Sequence, residues 1–504
     1  MKRVFITILT LLVFLSGLSG QTASQTAQTA QTAETAQTDN TDPVISFSDS
    51  QSSELDEWSR QKHPWIGIGG AIGFNILLAS WNRWAIGSAW AKTGPDEWLH
   101  FYERRLTWDR DWYWTNYVLH PYQGSMYYMS ARGANLNRLE AFGVNVLGSS
   151  IWEFFCEKNA PSINDMVYTT IGSFCMGEML FRLSQEVSSY EPFFGYFINP
   201  QRVWTQKICK IQQKSTSGRI TRFDAGLSLG NVHAFAHINN VDRSRYPTTE
   251  IYPYFFMGNT HIVYRDPFTT DTNTPYDNFD LYIQAGAGKG SGYNGSCAME
   301  AIDRQLFYEI RIFSDGVLRS RQLELGEDKD CTAGFGMIYD FDWHSYYMIS
   351  SLAPSVFFKR RANYDQDKIE WQVHLGAILL GTTDYYYLHR KLIPQAAETT
   401  RLYNHNIGAE NIIKFKYDSK KAGVFTIDFR GYAMYSFYNQ LQKSTQTGWD
   451  FIGLLTTSWD YPITEKISVG VTDEVLGKIE LINDMNDVRY LLNTIKFFGR
   501  YHIK

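Results

Sequence analysis

The sequence lacks the short motifs that identify many common enzyme classes. It has no GxSxG nucleophile elbow, no HExxH zinc helix and no GxxxxGK[ST] phosphate loop. Its net charge of -5 over 504 residues provides no basic surface, so we expect no nucleic-acid partner. No cofactor is predicted, and the residue pattern neither predicts nor excludes a metal.

Cysteine is also scarce. The five cysteines leave at least one unpaired, and their spacing fits no zinc motif: they are Cys156, Cys175, Cys209, Cys297 and Cys331. A disulfide between Cys156 and Cys175, on neighbouring predicted helices, is one alternative. The other, which we favour, is that the cysteines act as small buried apolar side chains.

The N-terminal segment has the order of regions found in secretory signal peptides. Lys2 and Arg3 precede an apolar run over residues 4–15, which small residues follow. We therefore assign a signal peptide to residues 1–20. Residues 21–54 repeat Gln, Thr and Ala and contain few large apolar side chains, which predicts a disordered tether.

Residues 55–195 show helical periodicity and form a predicted helical domain. The apolar run Trp65–Ile86 is long enough to span a membrane, but it contains Asn75, Asn82 and Arg83. These polar residues, and the need for export across the inner membrane, favour a helix buried in the protein. Further helices are predicted at Asn145–Phe155 and Asp165–Ser184.

Residues 196–504 change to a period of two. In Ile369–Leu375 and Thr426–Arg430, apolar and polar side chains alternate, and about twelve such segments recur. A soluble sandwich would also alternate, but export, strand length and an aromatic content of 16% favour a membrane barrel. The predicted fold is α+β, an N-terminal helical domain followed by a C-terminal antiparallel transmembrane β-barrel of about 12 strands.

This fold predicts a location in the bacterial outer membrane. The expected partners are outer-membrane lipid and the barrel-insertion machinery, and the sequence identifies no small-molecule or lipid ligand. The last residue, Lys504, departs from the aromatic terminus of many such barrels.

Seven short motifs follow one another in the helical region. They are NRW (Asn82–Trp84), WTN (Trp114–Asn116), HPYQG (His120–Gly124), ARG (Ala131–Gly133), SSIWE (Ser149–Glu153), PSIND (Pro161–Asp165), and GE with RLS within residues 177–184. In this order they resemble an uncharacterised bacterial family, a domain of unknown function whose members are exported envelope proteins. The resemblance implies a place in the envelope and no known activity.

Two glutamates in these motifs are candidates for a buried polar site. Glu153 and Glu157 lie four residues apart, so one helix face carries both carboxylates among aromatic residues. Each raises the pKa of the other unless a cation or a histidine lies nearby. His120 and Arg132 are the candidate partners.

The structural interpretation is a buried network that ties the helices together. In it, Arg132 pairs with Glu153 or Glu157, and His120 pairs with Asp165. Ser162 and Asp165 have the spacing of a helix-capping box. The network comprises Asn116, His120, Arg132, Glu153, Glu157, Ser162, Asp165, Glu178 and Arg182.

Three functional hypotheses remain. In the first, the barrel has a structural or transport role, and the helical domain is a plug inside it or a periplasmic platform beneath it. In the second, the protein is an envelope hydrolase acting on lipid or glycan through His120, Glu153, Glu157 and Asp165. In the third, loops such as Asp266–Asn278 mediate adhesion.

Overall fold

The computed structural model describes most of the chain beyond its N-terminal segment. The described residues are 57–108, 111–213, 215–238, 249–289, 306–324, 330–364, 367–384, 403–438, 447–483 and 486–504. The predicted signal peptide and tether lie outside them, as does Cys297.

Seven α-helices, several extended by π-helical turns, make up the described helical part. They are α1 (Pro64–Ser80), α2 (Pro95–Leu99), α3 (His120–Gly133), α4 (Arg138–Ile151), α5 (Ile163–Val167), α6 (Ser173–Val187) and α7 (Pro192–Ile198). The π-helical turns are Trp81–Ile86, Thr115–Leu119, Trp152–Cys156, Tyr168–Gly172 and Val203–Ile208, and a short 3-10 helix spans Phe101–Glu103. The helices predicted around residues 145–155 and 165–184 are thus present.

Helix α1 is less buried than its sequence predicts. Only a narrow stripe of Gly67, Gly70, Ala71 and Asn75 is buried. A Cβ at Gly67 would come within 3.0 Å of the Ala131 Cα, so the glycines allow α1 and α3 to approach closely. Ile66, Ile68 and Phe74 are half-buried against the core of the helical domain. Four large apolar side chains are exposed, namely Trp65, Ile72, Ile76 and Leu77, so the prediction of a helix buried in the protein is wrong.

Twelve antiparallel strands form one closed barrel, which confirms the predicted fold class. They are β1 (Ile220–Ile238), β2 (Thr249–Tyr264), β3 (Phe279–Lys289), β4 (Leu306–Gln322), β5 (Cys331–His344), β6 (Met348–Asn363), β7 (Asp367–Asp384), β8 (Tyr403–Ser419), β9 (Gly423–Tyr438), β10 (Gly448–Pro462), β11 (Ile467–Ile482) and β12 (Val488–His502). Each strand pairs with its sequence neighbours, and β12 closes the barrel on β1. The sandwich alternative is therefore wrong.

The boundary predicted between residues 195 and 196 lies too early. It falls inside α7, and the π-helical turn Val203–Ile208 still belongs to the helical part. The first strand begins only at Ile220. The period-two alternation begins with this strand, so it cannot mark where the helices before it end.

Alternation along the strands separates a lumen face from an outer face. In β10, Asp450 and Ile452 are buried inside, whereas Trp449, Phe451 and Trp459 point outward and are about half exposed. The same arrangement recurs in β12, where Phe497 points outward and is 66% exposed. An outward band of exposed aromatic and aliphatic side chains is typical of barrels that contact lipid.

Side chains that cross the lumen divide it into two chambers. Arg311 on β4 donates to Asp342 on β5 at 2.7 Å and to Glu474 on β11 at 3.3 Å. The Tyr432 hydroxyl on β9 donates to Asp340 on β5. We call these five residues the lumen belt.

The two chambers differ in their lining. The chamber on the side of the chain terminus has a volume of about 820 Å³ and is lined mainly by charged and polar residues, among them Arg500, His502 and Lys504. The other has a volume of about 980 Å³, and Ile452, Lys478 and Tyr490 are among its lining residues. We call the barrel end that carries Lys504 the C-terminal rim.

The helical domain packs against the outer face of the barrel wall. Tyr113 stacks on outward-facing Phe341 of β5 with ring centroids 4.9 Å apart. Tyr168 donates from its hydroxyl to the backbone carbonyl of Leu380 on β7 at 3.0 Å. The expectation of a plug in the lumen or a platform below the barrel is therefore wrong. The contacts lie on the outer wall, and the lumen-facing Asp340 and Asp342 of β5 bind side chains of other strands.

Candidate functional site

The motif residues of the helical domain form a polar core next to the barrel wall. Asn116 donates its amide Nδ2 to the Tyr403 hydroxyl on β8 at 2.9 Å. The Tyr117 hydroxyl lies 3.0 Å from Nδ1 of His405 on the same strand. The WTN motif therefore contacts the barrel directly.

The PSIND motif begins helix α5, and both Ser162 and Glu153 form hydrogen bonds at its start. The Ser162 hydroxyl accepts a hydrogen bond from the Asp165 backbone N–H at 3.1 Å and caps α5. The carboxylate that accepts the Ser162 backbone N–H, at 2.8 Å, belongs to Glu153. In a capping box, a side chain of the same helix usually accepts the backbone N–H of the N-cap residue. Here Glu153, from outside α5, accepts it instead.

His120 and Asp165 approach each other at this cap. His120 Nε2 lies 3.7 Å from Asp165 Oδ2, and both side chains are almost fully buried. Asn164 donates to the other carboxylate oxygen of Asp165 at 2.9 Å. The two residues that the sequence pairs are therefore neighbours in the structure.

Glu153 and Glu157 each accept a hydrogen bond from a different donor. Glu157 accepts a hydrogen bond from the Trp152 indole at 2.6 Å. Glu153 is buried and holds Ser162, and its backbone carbonyl accepts from Arg104 at 3.2 Å. Glu157, by contrast, is only half-buried. The burial of Glu153 gives no support to the hydrolase hypothesis, which needs groups that a substrate can reach.

A second polar cluster forms around Glu178 on α6. The sequence pairs Arg132 with Glu153 or Glu157, but the structure pairs it with Glu178, at 2.9 Å. Arg138 and Arg182 each contact the other oxygen of Glu178 at 3.0 Å, and the Tyr128 hydroxyl donates at 2.9 Å. Seven of the nine residues of the predicted network thus fall into two clusters, one at the α5 cap and one at Glu178. The other two are Asn116, which contacts Tyr403, and Glu157, which contacts Trp152.

The Glu178 cluster lies beside the C-terminal rim. Arg182 donates at 2.7 Å to Asp277, which lies in the connection between β2 and β3. This connection, residues 266–278, is the segment proposed from sequence as an adhesion loop, and here it contacts the helical domain. Burial alone would raise the pKa of Glu178, but the charges of Arg132, Arg182 and Arg138 outweigh it and lower this pKa.

Sequence reasoning missed Arg138, Asn164 and Arg104. Arg138 is the first residue of α4, and its only sequence signal is the capping box of Asn137 and Glu140 around it. Asn164 is part of the PSIND motif, where it resembles an ordinary helix-start residue. Nothing in the pattern relates Arg104 to a helix about fifty residues later.

Three of the π-helical turns overlap the motifs, and a fourth follows one. The turn Trp81–Ile86 contains NRW, Thr115–Leu119 overlaps WTN, Trp152–Cys156 overlaps SSIWE, and Tyr168–Gly172 follows PSIND. A π-helical turn inserts one residue into a helix and is frequent at functional sites. Here the turns place Tyr117 and Tyr168 against the barrel wall.

Other sequence features gain no chemical role. Cys156 and Cys175 are separate thiols, so the disulfide alternative is wrong. Within the described ranges, no group of three or more His, Cys, Asp or Glu residues could hold a metal ion. The expected absence of a GxSxG motif is corrected by Gly226–Gly230, which reads GLSLG. This segment lies inside strand β1 and not at a strand-to-helix turn, so it is not a nucleophile elbow.

Comparison with known proteins gives one family match. A family model described as "Domain of unknown function (DUF3943)" matches residues 105–199. This match confirms the resemblance to a domain of unknown function and covers most of the predicted motifs, whereas NRW at Asn82–Trp84 precedes it. A search of curated proteins finds no match.

Several solved outer-membrane barrels are similar at a low level. A FadL homologue of Pseudomonas aeruginosa is 8% identical, with 56% of this chain and 90% of that chain covered at a TM-score of 0.23. An outer membrane channel from Pseudomonas putida is 6% identical, with 55% and 95% covered and a TM-score of 0.28. The outer membrane protease OmpT from Escherichia coli is 9% identical, with 56% and 98% covered and a TM-score of 0.22.

Proposed function

We propose that the protein is an outer-membrane barrel that serves as a scaffold for its helical domain. Exposed apolar side chains on the outer wall support contact with lipid, among them Leu227, Leu491 and Phe497. In this proposal the protein is exported, and the barrel-insertion machinery places it in the bacterial outer membrane.

Helix α1 and its π-helical extension support a helical domain at the level of the membrane. The segment Pro64–Ile86 is long and apolar enough, by length and composition, to cross a membrane. Trp65 is 82% exposed and Leu77 is 66% exposed, on the face that points away from α3. In the proposal, lipid covers this face while the barrel wall covers the opposite side of the domain.

The lumen belt is the observation that favours a scaffold over an open pore. Arg311 reaches Glu474 from a strand on the far side of the barrel, so a side-chain bridge crosses the lumen. Asp340 is joined across the lumen to Arg430 at 3.5 Å. These side chains occupy the cross-section of the lumen between the two chambers and leave less room for a solute to pass.

A transport role is the second candidate, because the same belt separates two chambers. An anionic or polar solute could exchange between them if the ion pairs opened. In that case the belt would be a gate and the helical domain its lateral support.

Single-channel recording in planar bilayers distinguishes the two roles. A scaffold predicts no stepwise conductance for the wild type. It predicts measurable conductance for the double variant Arg311→Ala/Arg430→Ala, and this conductance would also show that the barrel has inserted into the bilayer. Arg321→Ala, at an exposed ion pair outside the belt, is the matched control and should resemble the wild type. Regular conductance steps in the wild type would contradict the scaffold role and support transport.

A further inference from the structure

A cavity of about 350 Å³ lies between the helical domain and the C-terminal rim. Helices α3, α4 and α6 form three sides, and the residues preceding β1 form another. Its charged lining consists of Arg132, Arg138, Arg182, Arg219 and Glu178. It is separate from the α5 cap and from both chambers of the lumen.

Glu178 holds three of these arginines in a fixed arrangement. It accepts hydrogen bonds from Nε of Arg132, of Arg138 and of Arg182, at 2.9, 3.0 and 3.0 Å. Because each bond uses Nε, the terminal Nη groups remain available for other acceptors. The carboxylate itself is completely buried beneath them.

Some of these Nη groups already have acceptors. Arg182 uses its two on Asp277 and the Pro275 carbonyl, and Arg132 uses one on the Leu136 carbonyl. Among the described residues, neither Nη group of Arg138 has an acceptor, nor does the second Nη group of Arg132. At least three nitrogen atoms at the cavity, two of Arg138 and one of Arg132, can therefore donate hydrogen bonds to a ligand.

The cavity also has an excess of positive charge. Four guanidinium groups line it, and among the described residues two carboxylates, Glu178 and Asp277, form ion pairs with them. A third carboxylate, Glu186, accepts the Arg219 backbone N–H at 2.7 Å. Half-buried charges of one sign repel one another unless a counter-charge binds. An anion with several oxygens would satisfy both the charge and the unused donors.

We propose that this cavity binds a phosphate group. Guanidinium groups bind phosphate oxygens in paired hydrogen bonds, and Arg138 has two unused donors for one such pair. The cavity lies at the C-terminal rim beside Phe181 and Tyr264, so the phosphate group comes from a phospholipid headgroup or from free phosphate in solution.

Calorimetry on the full-length protein in maltoside detergent and phosphate-free buffer tests this site. The probes are inorganic phosphate, dihexanoyl phosphatidylglycerol, and dihexanoylglycerol, which has no phosphate. We expect the first or second probe to bind the wild type, with at least tenfold weaker binding to Arg138→Gln. Arg321→Gln, an exposed arginine paired with Asp271, is the control and should bind as the wild type does.

The outcomes also identify the source of the phosphate. At least tenfold tighter binding of the short-chain phospholipid than of inorganic phosphate assigns the site to a headgroup, and the reverse order or equal affinity assigns it to free phosphate. If neither probe binds, or if Arg138→Gln and wild type bind equally, the proposal is wrong. Arg219→Gln, which alters a more exposed guanidinium, provides a second variant if Arg138→Gln does not fold.

Discussion

At the scale of single residues, Glu178 determines whether three arginines can remain inside the helical domain. It accepts hydrogen bonds from Arg132, Arg138 and Arg182 at 2.9, 3.0 and 3.0 Å, and none of its side chain is exposed. Removing one partner of a buried ion cluster leaves uncompensated charge, which costs more than the cluster contributes when intact. A substitution of Glu178 is therefore expected to lower the stability of the helical domain, whether or not it also changes binding.

Glu178→Gln should lower the free energy of unfolding of the helical domain by about 3–5 kcal/mol. Thermal unfolding of the purified protein, followed by helical circular dichroism, measures the change. Glu140→Gln alters an exposed glutamate paired with Lys62, so its effect should remain within about 1 kcal/mol. Equal melting temperatures for Glu178→Gln and wild type would refute the role of Glu178.

The lowered pKa of Glu178 gives this contribution a pH dependence. Since the folded-state pKa is below the unfolded value, the carboxylate stabilises the fold above the unfolded pKa, about 4.3. That stabilisation is lost as the pH falls through the folded pKa. Wild type should thus lose more stability than Glu178→Gln between pH 6 and pH 3, and parallel pH profiles would contradict this account.

Ser162 illustrates a residue whose role the sequence does predict. Its hydroxyl caps α5, and its backbone N–H binds Glu153. Ser162→Ala should destabilise the helical domain by about 1 kcal/mol, whereas Ser162→Thr should retain most of the stability because Thr also caps helices and adds no charge beside Glu153. The same thermal measurement checks both variants, and equal losses for Ala and Thr would exclude a capping role.

At the scale of elements, close helix contacts depend on residues without side chains. A Cβ at Gly124 on α3 would lie 2.1 Å from the Thr169 carbonyl oxygen, so the helix and the π-helical turn Tyr168–Gly172 approach at this point. This turn also places Tyr168 against the barrel wall. Contact between α3 and the turn therefore influences how the helical domain meets β7.

Gly124→Ala should destabilise the helical domain by about 1–3 kcal/mol, because the backbone must move to admit the methyl group. Gly143→Ala on α4 is the matched control, since no atom lies within 4 Å of its added Cβ. Alanine has the higher helix propensity, so this control should raise stability by up to about 1 kcal/mol. If Gly124→Ala and Gly143→Ala both lowered the stability of the helical domain, the packing argument would be contradicted.

The elements themselves were largely predictable, because their signals are local. Alternation in Ile369–Leu375 depends only on neighbouring residues, and it correctly indicated a strand. The partner of Arg132 was not predictable, since Glu178 is 46 residues away and only the packed helices bring them together. The exposed face of α1 was missed because a membrane-facing helix and a buried helix have similar composition.

At the scale of the whole molecule, the helical domain meets the barrel outside the lumen, both at the outer wall and at the C-terminal rim. Aromatic residues from the WTN region and from Tyr168 contact outward-facing residues of β5, β7 and β8. Sequence alone could not choose this wall, because buried tyrosines look alike in a plug, a platform and a lateral domain. The barrel count of twelve, by contrast, followed from counting alternating segments.

The lateral position of the helices is the central claim, and residue-level photo-crosslinking tests it most directly. Benzoylphenylalanine in place of Trp114, in protein folded in outer membranes, should crosslink to outward-facing Phe341 or Trp343, whose rings lie 5.7 and 6.5 Å away. The same probe at exposed Trp84 should give no crosslink to the barrel. Crosslinks from position 114 to lumen-facing Asp340 or Asp342, or none to the barrel, would contradict the account.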